Sequence, residues 1–211
     1  IDAPYGVRTE AEARAAVREM AAKGVDLLKI WVDDRNGTVE KLPPALYRPI
    51  IDEAHQHGLR VVAHIFALED AKGLLRAGLD GFAHGVRDRD IDDEFVQLIR
   101  QRPDAFLIPN LPERGVAADL AWMRGSVGTE EIAGITAALA NMTPDERERT
   151  RAFHQIQARN LAALHAAGLR IALGTDSDGA GWQAHTEMAD MVAAGMTPAQ
   201  AARTVLRRNG T

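Results

Sequence analysis

Short apolar runs of strand length alternate along this chain with longer stretches whose apolar residues recur at helical spacing. Five runs read as strands: VDLLKIWV, LRVVAHIF, LDGFAHGV, AFLIPNL (Ala105 to Leu111) and LRIALGTD. Four of them directly follow a helical stretch that ends in glycine, so Gly24, Gly58, Gly78 and Gly168 are expected to take the left-handed conformation that turns helix into strand. Helix starts are equally marked. Thr9 with Glu12, Thr143 with Glu146 and Thr197 with Gln200 have capping-box spacing, and Pro144 and Pro198 fall at the first helical position. In the first helix Ala13, Ala16, Val17, Met20 and Ala21 form one apolar stripe. Strands alternating with helices in this way predict an α/β fold whose parallel sheet is covered by helices. Over residues 112–142 the pattern weakens and GSVG interrupts it, so this segment reads as an excursion after AFLIPNL and a candidate lid.

Four polar residues break the apolar strands: Lys29 in LLKIWV, His64 in RVVAHIF, His84 in GFAHGV and Asp176 at the end of IALGTD. A buried lysine or carboxylate is costly unless it is neutralised or bound. In a parallel α/β barrel the carboxyl ends of the strands carry function. There these four side chains, on four strands, would converge on one mouth as a metal site. The intervals between them are too long for a local motif, so the inference depends on the barrel bringing them together.

Each position has a plainer reading. A single buried histidine is commonly a hydrogen-bonded core residue, but two at equivalent strand ends favour ligation. Lys29 either reaches the barrel end to pair with Asp33 or Asp34, or stays desolvated. As a free amine it would then react with carbon dioxide to form a carbamate, or with a carbonyl substrate to form a Schiff base. Asp176 is either a turn residue or a group facing the mouth, and Asp178 reads as loop chemistry. His55 and His57 spell HxH but lie in the last turn of a helix, where residues two apart diverge, and are set aside as ligands. His154 and His165 lie on the long helix before the last strand and are set aside as well. His185 either lines the mouth as a substrate-binding residue or caps the helix that begins HTEMADMVAAG.

Composition narrows the classes. With 211 residues, 46% hydrophobic and 26% charged, the chain has the makeup of one globular domain. A net charge of -5 with dispersed Lys and Arg argues against nucleic acid as a partner. The absence of cysteine excludes thiolate ligands and disulfides and fits a cytoplasmic setting, and any metal must use N and O donors. No run approaches the roughly 18 to 20 apolar residues that span a bilayer, so no membrane partner is expected.

GVDLLKIWVDD, VVAHIF, DGFAHGV, GTDSDG and the closing HTEMADMVAAGMTPAQAARTVLRRNGT resemble the amidohydrolase superfamily, in particular its imidazolonepropionase-like and metal-dependent carboxypeptidase or prolidase-like branch. The resemblance implies a (β/α)8 TIM-type barrel and a metal-dependent hydrolase that cleaves an amide, peptide, cyclic amide or lactone bond of a small molecule with metal-activated water. It also implies roles. Lys29 would be carboxylated and bridge two divalent metals, His64 and His84 would hold one metal, and Asp176 would bind the other and act as general base. Zinc suits such a site, and manganese, iron or cobalt are alternatives.

The HxH pair that the superfamily carries on its first barrel strand is not found before Lys29. The expectation is therefore an incomplete barrel, residues 1–211 forming one partial domain with strands equivalent to the fourth to eighth. The missing strands would come from the same parent chain or a partner, and a homo-oligomer is compatible with this. The chain alone is expected to be inactive. Two other classes are kept open: a catalytically dead α/β remnant that acts as a binding or assembly module, and a Schiff-base lyase using Lys29.

Overall fold

The computed structural model describes residues 5–111, 121–176 and 181–206. Five parallel strands lie side by side in chain order: β1 (Leu27–Val32), β2 (Arg60–Ile65), β3 (Gly81–Ala83), β4 (Phe106–Ile108) and β5 (Arg170–Ile171). Helices α1 (Glu10–Ala22), α2 (Pro44–Gln56), α3 (Leu68–Arg76) and α4 (Asp93–Arg100) alternate with the first four strands. A 3-10 turn (Ala121–Met123), α5 (Thr129–Asn141) and the long α6 (Pro144–Ala166) separate β4 from β5. Helices α7 (Trp182–Ala193) and α8 (Pro198–Leu206) follow. The mixed α/β architecture with a sequential parallel sheet is compatible with part of a TIM-type barrel.

Local signals explain the boundaries. Thr9 and Thr143 form reciprocal capping boxes with Glu12 and Glu146, and Thr197 and Gln200 exchange the same pair of bonds. Gly24, Gly58, Gly78 and Gly168 have φ of 72, 70, 98 and 91°, where a Cβ would be strained, and each helix stops there. The fourth and fifth strands are shorter than the runs that announced them, and Asn110 (φ 45°) turns the backbone two residues after β4. Within the expected excursion, residues 112–120 lie outside the described residues, and the remainder is the 3-10 turn and α5.

Register divides the sheet into two unlike faces. Ile30, Val32, Val61, Ala63, Ile65, Phe82, Leu107 and Ile171 point towards the helices and form the core with Ile51, Leu68, Leu74, Phe95, Leu161 and others. Burying side chains of this size is worth roughly 1.5 to 3 kcal/mol each. The other face carries Lys29 and Trp31 on β1, Val62 and His64 on β2, and Phe106 and Ile108 on β4. Gly81 is required there: a Cβ would stand 2.5 Å from the Phe106 ring that covers it.

Candidate active site

His64 is the last-but-one residue of β2 and leaves the face opposite the helices, in register with Trp31. The two rings stack at 3.6 Å between centroids with planes 10° apart, and the Arg35 guanidinium lies 4.9 Å from the Trp31 ring. His64 Nε2 is 3.1 Å from Asp33 Oδ2, and its buried Nδ1 has no hydrogen-bond partner among the described residues.

His84 reaches the same place by a different route. It follows Ala83, which already faces His64 across the register, so regular alternation would send His84 to the helix side. A φ of 72° breaks the alternation, while the His84 N–H still donates to Ile108 O at 2.8 Å. The ring meets His64 edge to face, with centroids 4.5 Å apart. Both His84 ring nitrogens are buried without a hydrogen-bond partner among the described residues, and Nε2 lies 3.5 Å from Asp176 Oδ2, beyond a good hydrogen bond. Three strand ends thus carry non-glycine residues with positive φ: His84, Asn110 and Asp176 (φ 50°). Such strain clusters at functional sites.

Burial fixes the charge state of the imidazoles. It pushes the His84 pKa down to about 3, with Arg87, His64 and Lys29 adding like-charge repulsion. His64 is lowered as well, chiefly by burial, although its hydrogen bond to Asp33 opposes the shift. Neutral imidazoles with free lone pairs are the form that binds a metal.

Lys29, expected among buried strand residues, instead has an exposed side chain. β1 is an edge strand among the described residues, and Lys29 lines a cleft along it with Leu27 and Trp31. Lys29 nevertheless shares its face of the sheet with His64, and its charge acts on both histidines. It pairs with neither Asp33 nor Asp34 among the described residues; Asp33 holds His64, and Lys41 lies 3.8 Å from Asp34. Asp176 is exposed at the rim. His185 is exposed in α7 rather than at its cap, and is not among the residues found lining the cavity beside His84. Asp178 lies outside the described residues. His55 bonds Asp80 at 2.8 Å and His57 lies 3.5 Å from Glu53, both structural contacts away from the site. Among the described residues, no group of three or more His, Asp or Glu side chains is already gathered as a metal cage.

A cavity of about 460 Å³ opens at these strand ends, lined by His64, Phe66, His84, Arg87, Asn110, Leu111, Phe153, Gln157, Thr175 and Asp176. Sequence reasoning missed several of these. Asn110 Nδ2 donates to Gly174 O at 2.6 Å and ties the fourth and fifth strand ends together. Leu111 N–H donates to both oxygens of Glu187, whose pKa burial raises to about 8. Asn160 fastens the loop after β3: its amide donates to Val86 O and Arg89 O, and its oxygen accepts from Ile91 N–H. The signal was present on α6, whose buried stripe runs Gln157, Asn160, Leu161, Leu164, two of them polar.

No family model matches the chain. Uncharacterized proteins of Mycobacterium tuberculosis and Mycobacterium bovis are 30% identical over 209 residues, covering 94% of this chain and 50% of theirs. The chain therefore spans about half the length of the curated relatives it matches. Among solved structures, a candidate prolidase from Bifidobacterium longum is 28% identical with a TM-score of 0.66, over 97% of this chain and 50% of that one. A Xaa-Pro dipeptidase with bound methionine superposes at 0.67 with 21% identity, over 97% of this chain and 49% of that one. Ochratoxinase of A. niger superposes at 0.69 with 20% identity, over 94% and 42%. In fold the chain is similar to amidohydrolases and prolidases, superposing on about half of each of these molecules.

Proposed function

We propose that this chain supplies part of the active site of a metal-dependent hydrolase that cleaves an amide, peptide, cyclic amide or lactone bond. The carrying observation is the pair His64 and His84: two neutral imidazoles in contact, with buried unpaired nitrogens, beside the carboxylate of Asp176. Buried polar atoms left unpaired are expensive, and a bound cation would satisfy them. The donor set fits a divalent metal of the zinc class.

In this reading His64 and His84 hold the metal, Asp176 completes the set, and Lys29 joins as a carbamate once its face is covered. The remaining strands of a (β/α)8 barrel, from further chain or from a partner, would provide that cover. When bound, the metal acidifies water and polarises the scissile carbonyl. The residues of the chain do the rest. Asp176 accepts the proton of the attacking water at a carboxylate oxygen and delivers it to the leaving nitrogen or oxygen. Asp33 fixes the His64 ring through Nε2, and Trp31 stacks along it, so that Nδ1 is presented in one orientation. Phe66, Leu111 and Phe153 give the cavity an apolar wall that displaces water. A Schiff-base lyase would need neither the two histidines nor the aspartate, so their convergence favours the hydrolase reading.

The test is hydrolysis of a panel of N-acyl amino acids, dipeptides and lactones by the protein at its natural length with zinc or manganese. Asp176→Asn should lower turnover by at least about a hundredfold while metal stays bound. Turnover within a few-fold of wild type would remove Asp176 from the chemistry.

A further inference from the structure

The cavity holds a cation that the proton-transfer and metal roles do not use. Arg87 lies three residues beyond His84, and its Nε is buried without a hydrogen-bond partner among the described residues. Asp33 and Asp176 act on it through space, yet neither is hydrogen-bonded to it. Burial outweighs both and holds the Arg87 pKa below its ordinary value, though an arginine remains charged. Gln157 lines the same cavity, is 3% exposed, and leaves Oε1 without a hydrogen-bond partner among the described residues.

The loop carrying Arg87 is anchored on three sides. Arg87 N–H donates to Phe66 O at 2.9 Å, Asp88 Oδ1 accepts from Leu68 N–H at the start of α3, and Asn160 bonds Val86 O and Arg89 O. A guanidinium carried on a backbone held this firmly, with its Nε unpaired among the described residues, is suited to an anion.

We propose that Arg87 is a specificity-determining residue that binds a carboxylate of the substrate, with Gln157 Oε1 accepting the neighbouring N–H. The substrate class is then an N-acyl amino acid or peptide with a free carboxylate beside the scissile amide, rather than a neutral lactone or cyclic amide. A cavity of about 460 Å³ with Phe66, Leu111 and Phe153 on its walls accommodates a small apolar residue of this type. The proposal rests on the hydrolase reading for the bond that is cut, but not for the anion site.

Binding of N-acetyl-L-leucine and of its neutral analogue N-acetyl-L-leucinamide is measured by calorimetry on the full protein in chelator, which separates recognition from hydrolysis. The acid should bind roughly 10- to 100-fold more tightly than the amide, the range for a charge-assisted contact. Arg87→Met should abolish that preference while leaving amide binding unchanged, and Arg87→Lys should restore part of it. Equal binding of acid and amide, no detectable binding of the acid, or an Arg87→Met variant that weakens both alike overturns the proposal. Acid preference without hydrolysis would leave the anion site standing and sink the hydrolase reading. Hydrolysis without acid preference would do the reverse.

Discussion

His64 and His84 meet edge to face with ring centroids 4.5 Å apart and planes at 71°, although they come from strand positions of opposite parity. The positive φ of His84 breaks the strand alternation that would otherwise send its ring to the helix side. Trp31 closes the other face of His64, and Asp33 occupies Nε2, so Nδ1 is left for a ligand.

That arrangement assigns Asp33 the task of orienting His64. Asp33→Asn keeps the shape and removes the charge, so zinc affinity should fall about 10- to 100-fold, as for other carboxylates behind a ligating histidine. Competition against a chelating dye measures it. Unchanged affinity would mean the Asp33 contact is incidental.

Glu187 gives a pH signature of folding. Its native pKa is raised to about 8 by burial, whereas an unfolded glutamate titrates near 4.5. Between those values the native state holds a proton that the unfolded state has released, so stability falls as pH rises from 4.5 to 8. Glu187→Gln removes this slope and keeps an acceptor for Leu111 N–H. The variant should gain on wild type as pH rises, by up to a few kcal/mol at about 1.4 kcal/mol per pKa unit. Urea unfolding at several pH values measures the gap, and a gap independent of pH contradicts the assignment.

Asn160 is 2% exposed and makes three bonds to one loop. Asn160→Ala strands one buried donor and two acceptors, which should cost roughly 2 to 4 kcal/mol. The urea midpoint should drop with little change in slope. A loss below about 0.5 kcal/mol, the usual range for surface changes, would show that the loop holds itself.

Local chemistry made the fold legible. A capping box needs only residues three apart, and the glycines at helix ends need only the handedness of the backbone, so the five strands and most helix limits could be read directly. His64 and Asp176 were legible for a similar reason: a polar residue in an apolar run, and an aspartate at a strand end. The orientation of His84 was not, because a left-handed φ at a non-glycine residue leaves no mark in the sequence. Lys29 was misjudged as buried because burial on an edge strand depends on what lies beside it. Arg87 was hidden in GVRDRD, where a charged residue after a strand looks like any solvated loop. Gln157 and Phe153, which line the cavity with it, come from a distant segment of the chain.

Metal binding by His64 and His84 is read from the zinc content of the protein after dialysis against buffered zinc, compared with the His64→Ala, His84→Ala double variant. Bound zinc is expected in the wild type, with loss of at least one equivalent in the variant and folding retained by circular dichroism. Equal zinc in both proteins, or none in either, would contradict it.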